Sequence, residues 1–219
     1  MSMMIQSGRF SGPVGYNSVD FDGTGDYLTV ASNANLTLGT GDFTIEFWAY
    51  FDALGTVIIY DGRPLGVDGA YPTIYLNAGA LTYYANTGLR INGGALSTGV
   101  WYHIAVSRSG TNTKMFINGT QTGSTYVDST NYLGSTDRPW IGEGSFSLGY
   151  AVNGRISNLR VLKGTALYTA NFTPPTAPLT NITNTQLLAC RSTTIIDESP
   201  NAYAITAVGG AAVNSANPF

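Results

Sequence analysis

Two packed antiparallel β-sheets, a sandwich or jelly roll with at most one short helix, are predicted by three features of the 219-residue sequence. Short runs of alternating apolar and polar residues recur along the chain. Gly-, Asn- and Asp-rich turn signals separate them. Helix builders are scarce: charged residues make up 11%, while glycine numbers 27 and tyrosine 14. The length suits one large domain with an ample core.

The clearest element is Phe43-Thr44-Ile45-Glu46-Phe47-Trp48-Ala49-Tyr50, which alternates strictly. Large side chains on both faces predict a central strand covered on both sides. Before it, residues 1–18 are punctuated by Ser, Gly and Pro and predict an N-terminal arm, leaving 19–219 as a single domain. Strands are expected at 18–22 and 27–30, split by Gly23-Thr24-Gly25, with one helical turn within 33–38. After it, strands are expected at 57–60, 73–76, 81–85 and 101–108. Asn118-Gly119 between alternating residues predicts a type I′ hairpin, since both central positions need positive φ. A short strand is expected at 139–142 and a longer one at 154–162, with Ser157, Leu159 and Val161 sharing a face. Residues 165–170 are the best candidate for a brief helix, closed off by Pro174-Pro175. Strands at 186–189, 194–196 and 202–207 complete the chain.

Composition narrows the function classes. A net charge of −3 with scattered Arg and Lys argues against nucleic acid as a partner. No apolar run approaches a membrane-spanning length, and residues 1–5 lack the pattern of an export signal. Cys190 is the single cysteine, so neither an internal disulfide nor a multi-cysteine metal site is expected. His103 is the single histidine and sits on a predicted strand between buried-looking neighbours, which favours a structural role.

Five segments, in order, resemble the laminin-G-like, concanavalin A-like lectin/glucanase superfamily. They are Phe21-Asp22-Gly23-Thr24-Gly25-Asp26-Tyr27-Leu28, Phe43 to Trp48, Trp101-Tyr102-His103-Ile104-Ala105, Phe116-Ile117-Asn118-Gly119, and Gly154-Arg155-Ile156-Ser157-Asn158-Leu159-Arg160-Val161. The resemblance implies a jelly-roll sandwich. The tail, with Asp197-Glu198-Ser199-Pro200-Asn201, is similar to the family's opening segment moved to the end. Residues 186–219 are therefore expected to pack back beside the first strands.

Many such domains hold a structural calcium, for which the resemblance offers Asp22, Asp26 and Asp197; the alternative is that these residues satisfy turn backbone. Hydrolases of this fold need two carboxylates about 5–5.5 Å apart for a retaining mechanism. Only Glu46, Glu143 and Glu198 are present, none near another acid on a predicted strand, so no catalytic residue and no enzyme activity is expected. Tyr71, Tyr75, Tyr83, Tyr84, Trp140 and Tyr150 are candidates for glycan or protein contact, although tyrosine also fills half-wet sheet faces.

The wording of residues 23–28, Gly-Thr-Gly-Asp-Tyr-Leu, together with that of 161–168 and 171–175, is similar to domains in structural proteins of tailed phages. It implies a virion protein assembled in the bacterial cytoplasm: a capsid decoration (cement) or tail-associated module that binds neighbouring subunits and forms a homo-oligomer. The rival expectation is an adhesin recognising host surface glycans, with a polysaccharide-degrading enzyme third.

Overall fold

Alternation sends Phe43, Ile45, Phe47, Ala49 and Phe51 to one side of β3 (Phe43–Phe51), and all five are fully buried. In the computed structural model, which describes residues 16–31 and 33–219, β3 lies near the middle of the larger of two antiparallel sheets. That sheet runs β10 (Thr120–Val127), β9 (Asn112–Ile117), β8 (Trp101–Ser109), β3, β12 (Asn153–Lys163), β1 (Ser18–Asp22), β15 (Ala212–Asn214). The strand β13 (Thr185–Ala189) continues beside the second half of β12 where β1 leaves off. The smaller sheet runs β14 (Ile205–Val208), β2 (Tyr27–Val30), β11 (Trp140–Ile141), β4 (Val57–Asp61), β5 (Thr73–Asn77), β6 (Ala80–Ala85), β7 (Gly88–Ala95). Leu28, Val30, Ile74, Leu76, Leu81 and Tyr83 from its inner face close over the β3 phenyl rings as one core.

The expected hairpin joins β9 to β10, with Asn118 at φ 49° and Gly119 at φ 76°. A Cβ at Gly119 would fall 1.9 Å from the Phe172 carbonyl oxygen, so the turn needs glycine on two counts. The turn expected within 33–38 is a 3-10 turn at Ala34–Leu36, capped by Asn33, whose side chain accepts from the Asn35 amide at 2.8 Å.

Residues 165–170 are not helical. They cross the outer face of β3 and β8 as a strap, and side chains of those strands capture their backbone groups. Thr44 Oγ1 donates to the Thr165 carbonyl at 3.0 Å and accepts from the Leu167 amide at 2.9 Å. These partners replace the i to i−4 ladder a helix would use. The strap also supplies the cover predicted for the second face of β3, where Thr44 and Glu46 are fully buried and Trp48 and Tyr50 half-buried.

A bulge alters the expected faces of β12. The register shifts between Ser157 and Arg160 against β3, with Asn158 at φ 52°. Ile156 therefore joins Leu159 and Val161 in the core, while Ser157 turns outward to donate to the Asn17 carbonyl at 2.6 Å. Strand β7 lies outside the predicted set. Its Gly93-Gly94 reads as a breaker, yet a Cβ at Gly93 would sit 2.9 Å from the Leu81 carbonyl oxygen, where the sheet edges close together.

In the tail, residues 194–196 form no strand, whereas β14 pairs with β2 and β15 with β1. The chain thus passes from the smaller sheet to the larger through Gly209-Gly210, whose Gly210 amide is bonded by Asp26 Oδ1. Of the predicted arm, residues 1–15 lie outside the described residues; Tyr16 packs edge-on to Phe219 at 6.1 Å.

Candidate functional site

Period-2 geometry separates neighbours of the candidate list. On β6, Tyr83 points inward, is fully buried and donates to the Tyr132 hydroxyl at 2.7 Å. Tyr84, the next residue, points outward. With Thr73, Tyr75 and Ile58 it forms the floor of a cavity of about 360 Å³ on the outer face of the smaller sheet. One wall is the segment 143–150, which brings Phe146, Ser147 and Tyr150; the other brings Arg63 and Asp68.

Three of the six aromatic candidates, Tyr75, Tyr84 and Tyr150, thus meet in one place. The others do not join them. Tyr83 belongs to the core, and Tyr71 is buried against Gly69. Trp140 lines a separate cavity with Arg138 and Thr29. Its indole is engaged from within the chain, by Tyr27 stacked at 4.0 Å and by the Arg138 guanidinium 4.5 Å from the ring centroid.

The walls are held by buried carboxylates. Asp61, at the end of β4 and fully buried, accepts from Arg63 Nε at 2.9 Å and Nη2 at 2.9 Å, Thr73 Oγ1 at 3.0 Å and the Ser145 amide at 3.0 Å. The Arg63 guanidinium lies 5.3 Å from the Tyr84 ring centroid and 4.9 Å from that of Phe146. Burial alone would lower the Arg63 pKa; bonding and charge from Asp61 reverse this and raise it. Glu143 accepts from the Gly144 and Tyr150 amides, both at 2.7 Å, and so folds the segment that carries Phe146 and Tyr150. Asp68 accepts from the Tyr84 hydroxyl and from the Gly69 amide. Burial, then Asp68, pushes the Tyr84 pKa up to about 12, so this hydroxyl stays a donor at neutral pH.

Sequence reasoning missed Asp61, Arg63, Asp68, Glu143 and Phe146. The available signal was Asp61-Gly62-Arg63-Pro64, a charged pair at the end of an apolar strand in a chain with ten Lys and Arg in all.

The carboxylates proposed for calcium are used differently. Asp22 Oδ1 accepts from the Thr24 amide, and Asp26 from the Asp22 and Gly210 amides. Asp197 Oδ1 accepts from the Leu188 and Ser199 amides, and Oδ2 from Ser199 Oγ and the Tyr203 amide. Among the described residues no three His, Cys, Asp or Glu side chains converge as a metal group. The three carboxylates are thus not brought together around one point, and the bonds they accept come from turn and strand groups.

On the opposite sheet, Glu46 lies under the strap. Its Oε1 accepts from Arg160 Nε and Nη2 at 2.9 and 2.6 Å, and its Oε2 from the Tyr168 hydroxyl at 2.7 Å, with His103 Nε2 at 3.2 Å. Burial alone would raise its pKa, but His103, Arg160 and Tyr168 together hold it below the usual carboxylate value. His103 is itself fully buried there. Burial pushes the Cys190 thiol up to about 12, which keeps it a thiol at neutral pH.

The sequence profile described as the concanavalin A-like lectin/glucanases superfamily matches residues 22–168. The chain belongs to this superfamily. Solved structures similar at low identity show the shared fold. A candidate carbohydrate binding protein from Bacteroides ovatus superposes with a TM-score of 0.66 at 16% identity, over 93% of this chain and 60% of that one. The heptameric SAP-like pentraxin of Limulus polyphemus gives 0.58 at 14% identity, over 90% and 97%. Domains LG4-5 of mouse laminin α1 give 0.51 at 14%, over 77% and 48%. The chain therefore spans 60% of the Bacteroides protein's length. No curated protein matches the sequence.

Proposed function

We propose that this lectin-fold chain is a non-catalytic carbohydrate-binding module that takes a saccharide between Tyr75, Tyr84, Phe146 and Tyr150. The observation that carries this reading is the convergence of four aromatic rings with Arg63 and Asp68 around one cavity of about 360 Å³. Aromatic faces cover the apolar face of a sugar ring, and the polar groups between them bond its hydroxyls. The Bacteroides protein of like fold, described as a candidate carbohydrate binder, is consistent with it. The non-catalytic part is supported by the fate of the three glutamates: Glu46 and Glu143 are fully bonded within the fold, and Glu198 pairs with Arg191 at 2.7 Å. A glycan array followed by calorimetry tests the reading. Tyr150→Ala and Tyr75→Ala should each weaken binding about five- to ten-fold, the equivalent of about 1–1.4 kcal/mol per lost ring contact. Binding indifferent to both, or none across the array, would refute it.

The finer reading sets this module on a bacteriophage particle, as a capsid decoration or tail-associated subunit whose neighbours are other virion proteins and copies of itself. It rests on the wording of residues 23–28, 161–168 and 171–175 and concerns where the module works, not what its cavity does. Mass spectrometry of purified particles decides it: a stoichiometric copy number supports decoration, a few copies a tail position, and absence removes the particle altogether.

A further inference from the structure

The charges around the cavity point to a class of saccharide. Arg63 is the one cation among its described lining residues, and its Nε and Nη2 are spent on Asp61. That paired contact takes up one fork of the guanidinium and balances its charge, so Arg63 brings no uncompensated positive charge to an incoming carboxylate. Its faces are taken as well, by Tyr84 and Phe146. Asp68, by contrast, is half-buried at the rim, and among the described residues accepts only from the Tyr84 hydroxyl and the Gly69 amide. A carboxylate has about four acceptor positions, so room remains for ligand hydroxyls. Counting Asp61 and Asp68 against Arg63, acid exceeds base by one around the cavity.

We propose that this cavity selects uncharged saccharides, with Asp68 accepting from a ligand hydroxyl and repelling sialic and uronic acids. The inference rests on the saccharide-binding reading above and adds the sign of the ligand. A hydroxyl donated to Asp68 gains a charge-assisted bond, whereas a sugar carboxylate at the same position meets a like charge in a partly desolvated site. Selection therefore works in both directions through one residue.

Matched pairs of oligosaccharides test this directly, each neutral member set beside its sialylated or uronate counterpart, with the parent chain and Asp68→Asn. The parent should bind the neutral member at least about ten-fold more tightly, and added salt should narrow the gap. Asp68→Asn should lose a few-fold on neutral ligands while gaining on acidic ones. Should the asparagine variant melt early, Asp68→Ser repeats the comparison; the parent's own preference needs neither. Equal or tighter binding of acidic members overturns the inference yet leaves the saccharide reading intact, as does a preference unchanged in both variants. Failure to bind either member of any pair, or binding that ignores Tyr75→Ala and Tyr150→Ala, sinks both.

Discussion

Asp61→Asn should be the most damaging single change near the cavity. The carboxylate is fully buried and surrounded by donors alone: Arg63 through its amide, Nε and Nη2, Thr73 Oγ1, and the amides of Ser145 and Phe146. An asparagine of the same shape must turn its NH2 toward one half of that ring, where donor meets donor. The Arg63 guanidinium also loses its counter-charge. Breaking a buried pair from one side costs about 3–5 kcal/mol. An independent count, two hydrogen bonds to a charged group at about 1.5–3 kcal/mol each, gives a similar figure. For a chain of this length that is a fall in Tm of about 6–20 °C. Urea unfolding followed by tryptophan fluorescence, with calorimetry, measures it. Because the Ser145 and Phe146 amides hang from the same carboxylate, the cavity wall should loosen and saccharide affinity should fall by more than about ten-fold. Thr73→Val, which removes one donor and leaves the charge pair, should cost only about 1 kcal/mol. An Asp61→Asn protein within about 1 kcal/mol of the parent that still binds its ligand would refute the role assigned to this carboxylate.

Three further outcomes are expected. Glu46 has a folded pKa below its ordinary value of 4.5, so the stability it contributes is whole above that value and is lost as pH falls through the lower folded one; unfolding titrations should show an acid limb that Glu46→Gln makes shallower. Trp140→Ala should cost about 2–3 kcal/mol, less than the range for fully buried rings, through loss of its Tyr27 and Arg138 contacts, while calorimetry finds saccharide affinity unchanged. Glu143→Ala should leave the core intact but free the Tyr150 and Gly144 amides, which share its Oε1 as acceptor, weakening saccharide binding several-fold and raising hydrogen exchange at both.

Where local chemistry dominates, the sequence was legible. Alternation in residues 43–51 placed a covered central strand, and Asn118-Gly119 placed a hairpin, because period 2 and positive φ are properties of a few neighbouring residues. The placing of the tail beside the first strands followed from a resemblance in residues 187–201, although the strand expected at 194–196 is absent and β15 lay outside the expected set. Expectations failed where distant side chains intervened. The segment 165–170 has a helix-like composition, but Thr44 and Ser107 bind its backbone from other strands. The faces of β12 changed at a bulge that only its pairing with β3 fixes.

By itself, then, the sequence determined the fold class, the strand that anchors it, and the abundance of aromatic residues from which a site could be built. The tertiary structure alone decided which rings meet: Tyr75 and Tyr84 from paired strands, Tyr150 from a segment some 66 residues beyond Tyr84, and Arg63 between them. The reason is physical. A strand's own residues set which way each side chain faces, whereas a cavity is made by long-range hydrogen bonds such as Ser145 to Asp61, across 84 residues, and no local pattern records them.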